Sequence, residues 1–331
     1  MKIGLYSITY RGVWYRGSAV DLFSLVRLAK EQGWEGLELD AERPHAAPMD
    51  LSSDDRERLR DLAGELAMPL CAVSPNCDLS SPVPVQREAM ILYTRECIKL
   101  ARDLGAPICK IFAAWRGITL HGGRATYDET YGYDQYGYWK GDRRAFVVDS
   151  LRELAKVAED HGIVLAMQNH GPDVVQRYQD VLALIEEVGS PAFKACMDIN
   201  IEPQADSAGH ARAMVQATGP LQVHSHCNGE FARRPDGVVE LVAGGYFDRG
   251  FWGRQVAYPA YIDALVASGY DGYIDWEYCH PALENGQPAG IDYVHNQTRL
   301  ALEYLRGLRA EALGRSETAR LGQPEATGSQ V

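Results

Sequence analysis

The chain has 331 residues, 46% of them hydrophobic and 24% charged, an ordinary globular mixture long enough for one large barrel or two smaller domains. Its formal charge of −12 argues against a general grip on nucleic-acid phosphates and against an anionic membrane surface, and no run of sequence approaches the roughly twenty apolar residues of a membrane helix. Seven cysteines with no Cys-x-x-Cys pair, and an N-terminus without a signal-peptide layout, point to a reducing compartment and so to the cytoplasm.

Strand-like and helix-like segments alternate from the first residues onward. Strands are expected at 2–7 (KIGLYS), 36–40 (GLELD), 69–74 (PLCAVS), 108–114 (ICKIFAA), 163–169 (IVLAMQN), 193–199 (FKACMDI), 221–226 (LQVHSH) and 273–278 (YIDWEY). Between the second and third strands, Ser52 or Ser53 can cap a helix that carries Leu59, Leu62, Ala63 and Leu66 on one face. Leu182, Ile185 and Gly189 mark another helix and its stop. Eight strands interleaved with helices suggest a parallel (β/α)8 TIM barrel over residues 1–309 as a single domain. Residues 310–331 are polar and Gly-containing, and read as a flexible tail.

Side chains alternate between the two faces of a strand. In the fifth, Leu165 and Met167 oppose Ala166, Gln168 and His170; in the sixth, Ala195 and Met197 oppose Lys194, Cys196 and Asp198. In the seventh, Leu221 and Val223 oppose Gln222, His224 and His226; in the eighth, Ile274 and Trp276 oppose Asp275 and Glu277. Polar side chains thus crowd one face towards the C-terminal strand ends. A barrel turns that face inward to the active-site mouth, whereas a doubly wound sheet, the alternative, would bury it under helices. Long connections at 116–141 (Tyr- and Gly-rich) and 227–257 follow strands and would lie over that mouth.

Gln168, Asp198, His226 and Glu277 end four consecutive strands, with His224 beside His226. Oxygen ligands with one imidazole suit a divalent cation, Mn2+ or Mg2+ before Zn2+ or Fe2+; alternatively, polar strand ends merely solvate a barrel rim. His170 shares the Gln168 face, and its ordinary pKa suits proton abstraction near neutrality; otherwise it would orient a ligand or a loop. Lys110 reads as an inner salt-bridge partner.

LAMQNH (165–170), KACMDIN (194–200), LQVHSHCNGE (221–230) and YIDWEYCHP (273–281) resemble the sugar phosphate isomerase/epimerase superfamily of xylose isomerase-like barrels, over roughly residues 2–306. The resemblance implies one divalent metal, Mn2+ first and Mg2+ next, on Gln168, Asp198, His226 and Glu277, with His224 as pocket residue or alternate ligand. Gln168 departs from the family's Glu: an amide oxygen can coordinate but cannot take up a proton, which impairs an epimerase that uses two carboxylates. QNH (168–170), HSH followed by GE, ExCHP (277–281) and RPHAAPMDLS (43–52) look like the catalytic large subunit of C-glycoside deglycosidases. That implies a lyase in which His170 removes the C2 proton of a 3-keto-glycoside and the aglycone leaves from C1. The partners implied are a sugar or glycoside, a small β subunit and a higher oligomer. His45, Asn76, Trp115, Asn169, His224 and Glu230 are candidates to touch the sugar or its aglycone, with Arg254 and the Tyr-rich 127–138 segment as further candidates. The rival readings are a sugar or inositol-related isomerase, epimerase or dehydratase, and a noncatalytic sugar-binding barrel. A DNA-repair endonuclease of the same superfamily is disfavoured by the acidic balance and the missing extra metal-site histidines.

Overall fold

A computed structural model describes residues 1–121, 124–126, 142–171, 174–242 and 255–321. Eight parallel strands close into a barrel: β1 Lys2–Tyr6, β2 Leu37–Asp40, β3 Leu70–Ser74, β4 Ile108–Ile111, β5 Val164–Gln168, β6 Phe193–Asp198, β7 Gln222–Asn228 and β8 Tyr273–Glu277. Every strand expected from the sequence is present. Closure is made by β1 against β8, with Gly4 opposite Asp275, so the sheet has no edge and the doubly wound alternative is excluded. Gly4 is required there, because a Cβ would sit 1.9 Å from Asp275 Oδ1.

Helices follow the strands in turn: α1 Leu22–Gln32, α2 Ser53–Glu65, α3 Pro84–Leu104, α4 Arg143–His161, α5 Tyr178–Val188, α6 Ala208–Thr218, α7 Tyr258–Ala267 and α8 Ile291–Leu321. The Ser52 side chain accepts from Asp55 N at 3.2 Å and caps α2, a contact worth about 1 kcal/mol. Gly189 ends α5 at φ 71°, where a residue with a Cβ would be strained. The helices bury one stripe each, as α1 does with Leu22, Leu25, Val26 and Ala29, each large apolar side chain contributing roughly 1.5–3 kcal/mol. No helix among the described residues is long and apolar enough to cross a membrane.

The lumen is layered. Ala72, Ile108, Ala166 and Cys196 form a small apolar floor, with Val164 and Val223 against it. Buried Glu38, Lys110 and His224 are register partners of Ala72, Ala166 and Cys196, and Gln168, Asp198, His226 and Glu277 lie towards the C-terminal ends. In β7 the expected face alternation fails at its start. Ala195 pairs with Gln222 and Cys196 with His224, a register shift that skips Val223. Gln222 therefore faces outward, donating to Tyr261 Oη of α7 at 2.7 Å, while the two histidines keep the expected inward phase.

The expected boundary at residue 310 falls inside a helix. α8 continues past residue 310 to Leu321. Its apolar side buries Leu305 and Ala312, Arg309 grips Glu35 with two bonds of 2.7 Å, and Arg315 reaches Asp263 at 2.7 Å. Polar composition alone concealed these anchors.

Candidate active site

The tips of β5 to β8 carry the four expected ligand residues as two close buried pairs. Gln168 Nε2 lies 3.4 Å from Asp198 Oδ2, and His226 Nδ1 lies 3.7 Å from Glu277 Oε1. Asp198 and His226 are register partners on β6 and β7. Burial, with the Glu277 charge behind it, lifts the Asp198 carboxyl to about 7, while His226 pulls it down. Burial disfavours a charged His226, but Glu38 and Glu277 more than reverse this and hold its pKa at about 10. A proton and a cation therefore compete for its Nδ1. Gln168 Oε1 and His226 Nδ1 are buried without a hydrogen-bond partner, a cost that native interiors rarely leave uncompensated. An amide oxygen, two carboxylates and an imidazole nitrogen, two of them with orphaned atoms, fit a divalent cation.

Beneath lies a cluster that sequence reading missed. Glu38 Oε2 accepts from His226 Nε2 at 2.7 Å and from His224 Nε2 at 2.8 Å. Its other oxygen accepts from the Ser74 hydroxyl and faces Lys110 Nζ at 3.8 Å, the inner salt bridge expected of Lys110. Burial opposes ionisation of Glu38, but the two histidines hold its carboxyl well below the usual range. His224 also meets Asp275 at 3.2 Å, so it belongs to this inner layer and not to the pocket surface. Ligand-type atoms of Glu38, His224 and His226 lie within 4.8 Å of one another, the one such His, Cys, Asp or Glu group among the described residues, so this cluster could hold a cation.

His170, half-buried just past β5, packs against Trp115 at 4.0 Å between ring centroids and edge-on to Phe112 at 5.1 Å. Its Nδ1 lies 2.8 Å from Gly171 O. A carbonyl only accepts, so Nδ1 carries the proton and Nε2 the lone pair. Loss of solvent pushes the ring's pKa down to about 4, below the ordinary value the sequence reading relied on, so the ring is neutral at pH 7 but a weaker base than a free imidazole. The structure thus places Trp115, expected against the sugar or its aglycone, beside the candidate base.

Other expected contacts are placed differently. Asn169 is fully buried and spent on structure: its amide accepts from Asp198 N at 2.7 Å and donates to Asp198 O at 3.0 Å and Glu202 Oε1 at 2.8 Å. It clips β5 to β6 and leaves no group for a sugar. His45 is buried and bound to Val20 O at 3.1 Å, tying the loop after β2 to the approach of α1. Asn76 donates to Glu42, which also pairs with Arg11. Glu230 accepts from Tyr278 Oη at 2.7 Å, in a hairpin of Glu230–Arg233 with Val239–Val242. Arg254 and the 127–138 segment lie outside the described residues. Glu202 was also missed; it gathers Asn169, Tyr178 N at 2.7 Å and His210 at 2.9 Å. For Glu38 the signal was present in the alternation of Leu37, Glu38 and Leu39, which turns the carboxylate inward.

Among solved structures, the chain is similar to D-psicose 3-epimerase in the presence of D-fructose, with 18% identity, TM-score 0.68, and 93% of this chain and 99% of that one covered. It is similar to the 3-keto-D-glucoside 4-epimerase of E. coli, with 18% identity, TM-score 0.59 and coverages of 91% and 99%. The probable 3-DHS dehydratase of Bacillus anthracis gives 18% identity, TM-score 0.60 and coverages of 84% and 93%. At this identity the likeness is one of fold. The family model described as xylose isomerase-like TIM barrel matches residues 26–306, and with the closed parallel barrel in view, the chain belongs to the xylose isomerase-like TIM barrel family.

Proposed function

We propose that the protein is a metal-dependent carbon–carbon lyase that releases an aromatic aglycone from a 3-keto-C-glycoside. The observation that carries this reading is the pairing of a neutral His170, its Nε2 free to accept a proton, with a strand-end set in which Gln168 stands where a second acid–base carboxylate would be needed. Gln168, Asp198, His226 through Nδ1 and Glu277 hold one divalent cation, Mn2+ in our reading. This set is preferred over Glu38, His224 and His226 because the Lys110 ammonium, 3.8 Å from Glu38, opposes a cation in the inner layer.

When bound there, the cation supplies Lewis-acid stabilisation of the charge that develops on the C3 oxygen. The chain's own residues do the rest. His170 Nε2 takes the proton from C2, which the neighbouring C3 carbonyl acidifies. The C2–H electron pair first shifts towards C2=C3, placing charge on the C3 oxygen; as the carbonyl re-forms, the pair becomes the C1=C2 double bond and the C1–aglycone bond breaks, its electron pair leaving with the aglycone carbon, which takes the proton back from His170. The C3 carbonyl is retained, and neither water nor a covalent enzyme intermediate enters. Trp115 and Phe112 fix the plane of the His170 ring, and Trp115 offers a face for stacking an aromatic aglycone.

A second reading, epimerisation of a keto sugar, is favoured by the epimerases of the same fold. It shares the first proton transfer and then needs proton return from the opposite face, where Gln168 cannot serve. Incubation with a 3-keto-C-glucoside and Mn2+ separates the two. Free aglycone is the expected product; a rearranged keto sugar with the C–C bond intact would replace our reading with the epimerase.

A further inference from the structure

The carboxylate of Glu38 takes no part in the reaction as proposed, yet it is among the most heavily engaged groups in the protein. It reaches across the lumen from β2 to β7 and is fully buried. One of its oxygens receives both His226 Nε2, at 2.7 Å, and His224 Nε2, at 2.8 Å. The other receives the Ser74 hydroxyl and faces the Lys110 ammonium at 3.8 Å.

An imidazole nitrogen that meets a carboxylate at hydrogen-bond distance must carry its proton. With Nε2 so committed, the nitrogen that His226 can offer to a cation is Nδ1, which faces Glu277 at 3.7 Å. Turning the ring over would break the bond to Glu38 and leave that buried oxygen with His224 alone. The inner cluster could itself enclose a cation, but the Lys110 ammonium 3.8 Å from Glu38 opposes one there.

We propose that Glu38 is a positioning residue for the metal centre: by accepting the Nε2 protons of His226 and His224 it fixes His226 with Nδ1 turned towards Glu277, and Ser74 and Lys110 hold Glu38 in place to do so. The assignment rests on the ligand set proposed above. Its energetic logic is that of a carboxylate behind a metal-bound histidine, which raises the ligand's basicity and removes its freedom to rotate.

The test uses Zn2+, which is diamagnetic, and full-length protein with 15N-labelled histidine. In the Zn2+-loaded protein the nitrogen shifts of His226 should show a protonated Nε2 and a coordinated Nδ1. The variant Glu38→Gln keeps shape and should weaken Zn2+ binding by about 10–100-fold in calorimetric titration, with an unchanged circular dichroism spectrum. If Lys110, stripped of its counter-charge, unfolds that variant, the double variant E38Q/K110M restores neutrality and should show the same loss. Coordination through Nε2 of His226 overturns the proposal, as does wild-type affinity in both Glu38 variants. If neither variant folds, the nitrogen shifts of the unaltered protein decide alone. An Asp198→Asn control separates the two levels. Should D198N bind Zn2+ like wild type, the strand-end site itself is wrong and the role of Glu38 falls with it; should D198N lose the ion while E38Q keeps it, only the role of Glu38 falls.

Discussion

The two halves of the barrel surround their buried charges differently. In the β1–β4 half they stand in ion pairs, Arg11 with Asp40 at 3.0 Å, Lys110 with Glu38 at 3.8 Å and Arg116 with Asp78 at 3.3 Å, although Lys110 Nζ makes no hydrogen bond and burial lifts the Asp40 carboxyl to about 7. In the β5–β8 half no Arg or Lys is paired with the strand-tip carboxylates among the described residues, Gln168 Oε1 and His226 Nδ1 lack hydrogen bonds, and burial, with the Glu277 charge behind it, lifts the Asp198 carboxyl to about 7. Ion pairs hold a shape, while buried acceptors without a cationic partner are poised to receive a ligand. Glu38 joins the two halves, since its carboxylate is balanced from β4 and bonded to β7.

This contrast can be broken at several points. The largest expected effect is on the β5–β8 side. His170→Asn should slow aglycone release by about 10²–10⁴-fold, the span of a lost general base, while divalent-ion affinity by calorimetry stays at the wild-type value. In the β1–β4 half, Lys110→Met should strip Glu38 of its ammonium counter-charge, leaving it to His224 and His226, and lower unfolding stability by about 3–5 kcal/mol, read from urea denaturation. A smaller effect follows from His45, whose burial pushes its pKa down to about 4 from 6.5. The unfolded chain therefore binds a proton that the folded chain refuses. The stability linked to His45 is fully present above pH 6.5 and is lost as pH falls towards 4, by up to roughly 3 kcal/mol. Comparing wild type with His45→Gln across that window should show the steeper decline in wild type. The smallest change is Gln168→Glu, which adds a carboxylate to the strand tips. It should tighten divalent-ion binding by roughly tenfold, about 1.4 kcal/mol, and slow elimination, because an anionic site stabilises a developing oxyanion less well than a neutral one.

Much of the fold was legible because period-two alternation and helix stops are local signals. Ser52 as a cap, Gly189 as a stop and all eight strands could be read within a few residues of themselves. The same alternation exposed Gln168, Asp198, His226 and Glu277 as neighbours on inward faces. It failed at Gln222, where a register shift against β6 reverses the phase, because pairing between strands is invisible in either strand alone. Glu38 and His226 are 188 positions apart, and only closure of the barrel brings them together. Asn169 sat in a motif with two functional candidates, yet its amide serves the backbone of Asp198; residue type did not distinguish a group that grips substrate from one that grips its neighbour. The helix beyond residue 310 was hidden because its anchors, Glu35 and Asp263, lie far away in sequence.

Anomalous diffraction from crystals loaded with Mn2+ tests the shared metal site most directly. We expect a single strong peak coordinated by Gln168 Oε1, Asp198, His226 Nδ1 and Glu277, with His170 beside it and Glu38 hydrogen-bonded to the far side of the His226 ring. A peak enclosed by Glu38, His224 and His226 Nε2, or no peak at the strand tips, would contradict the account.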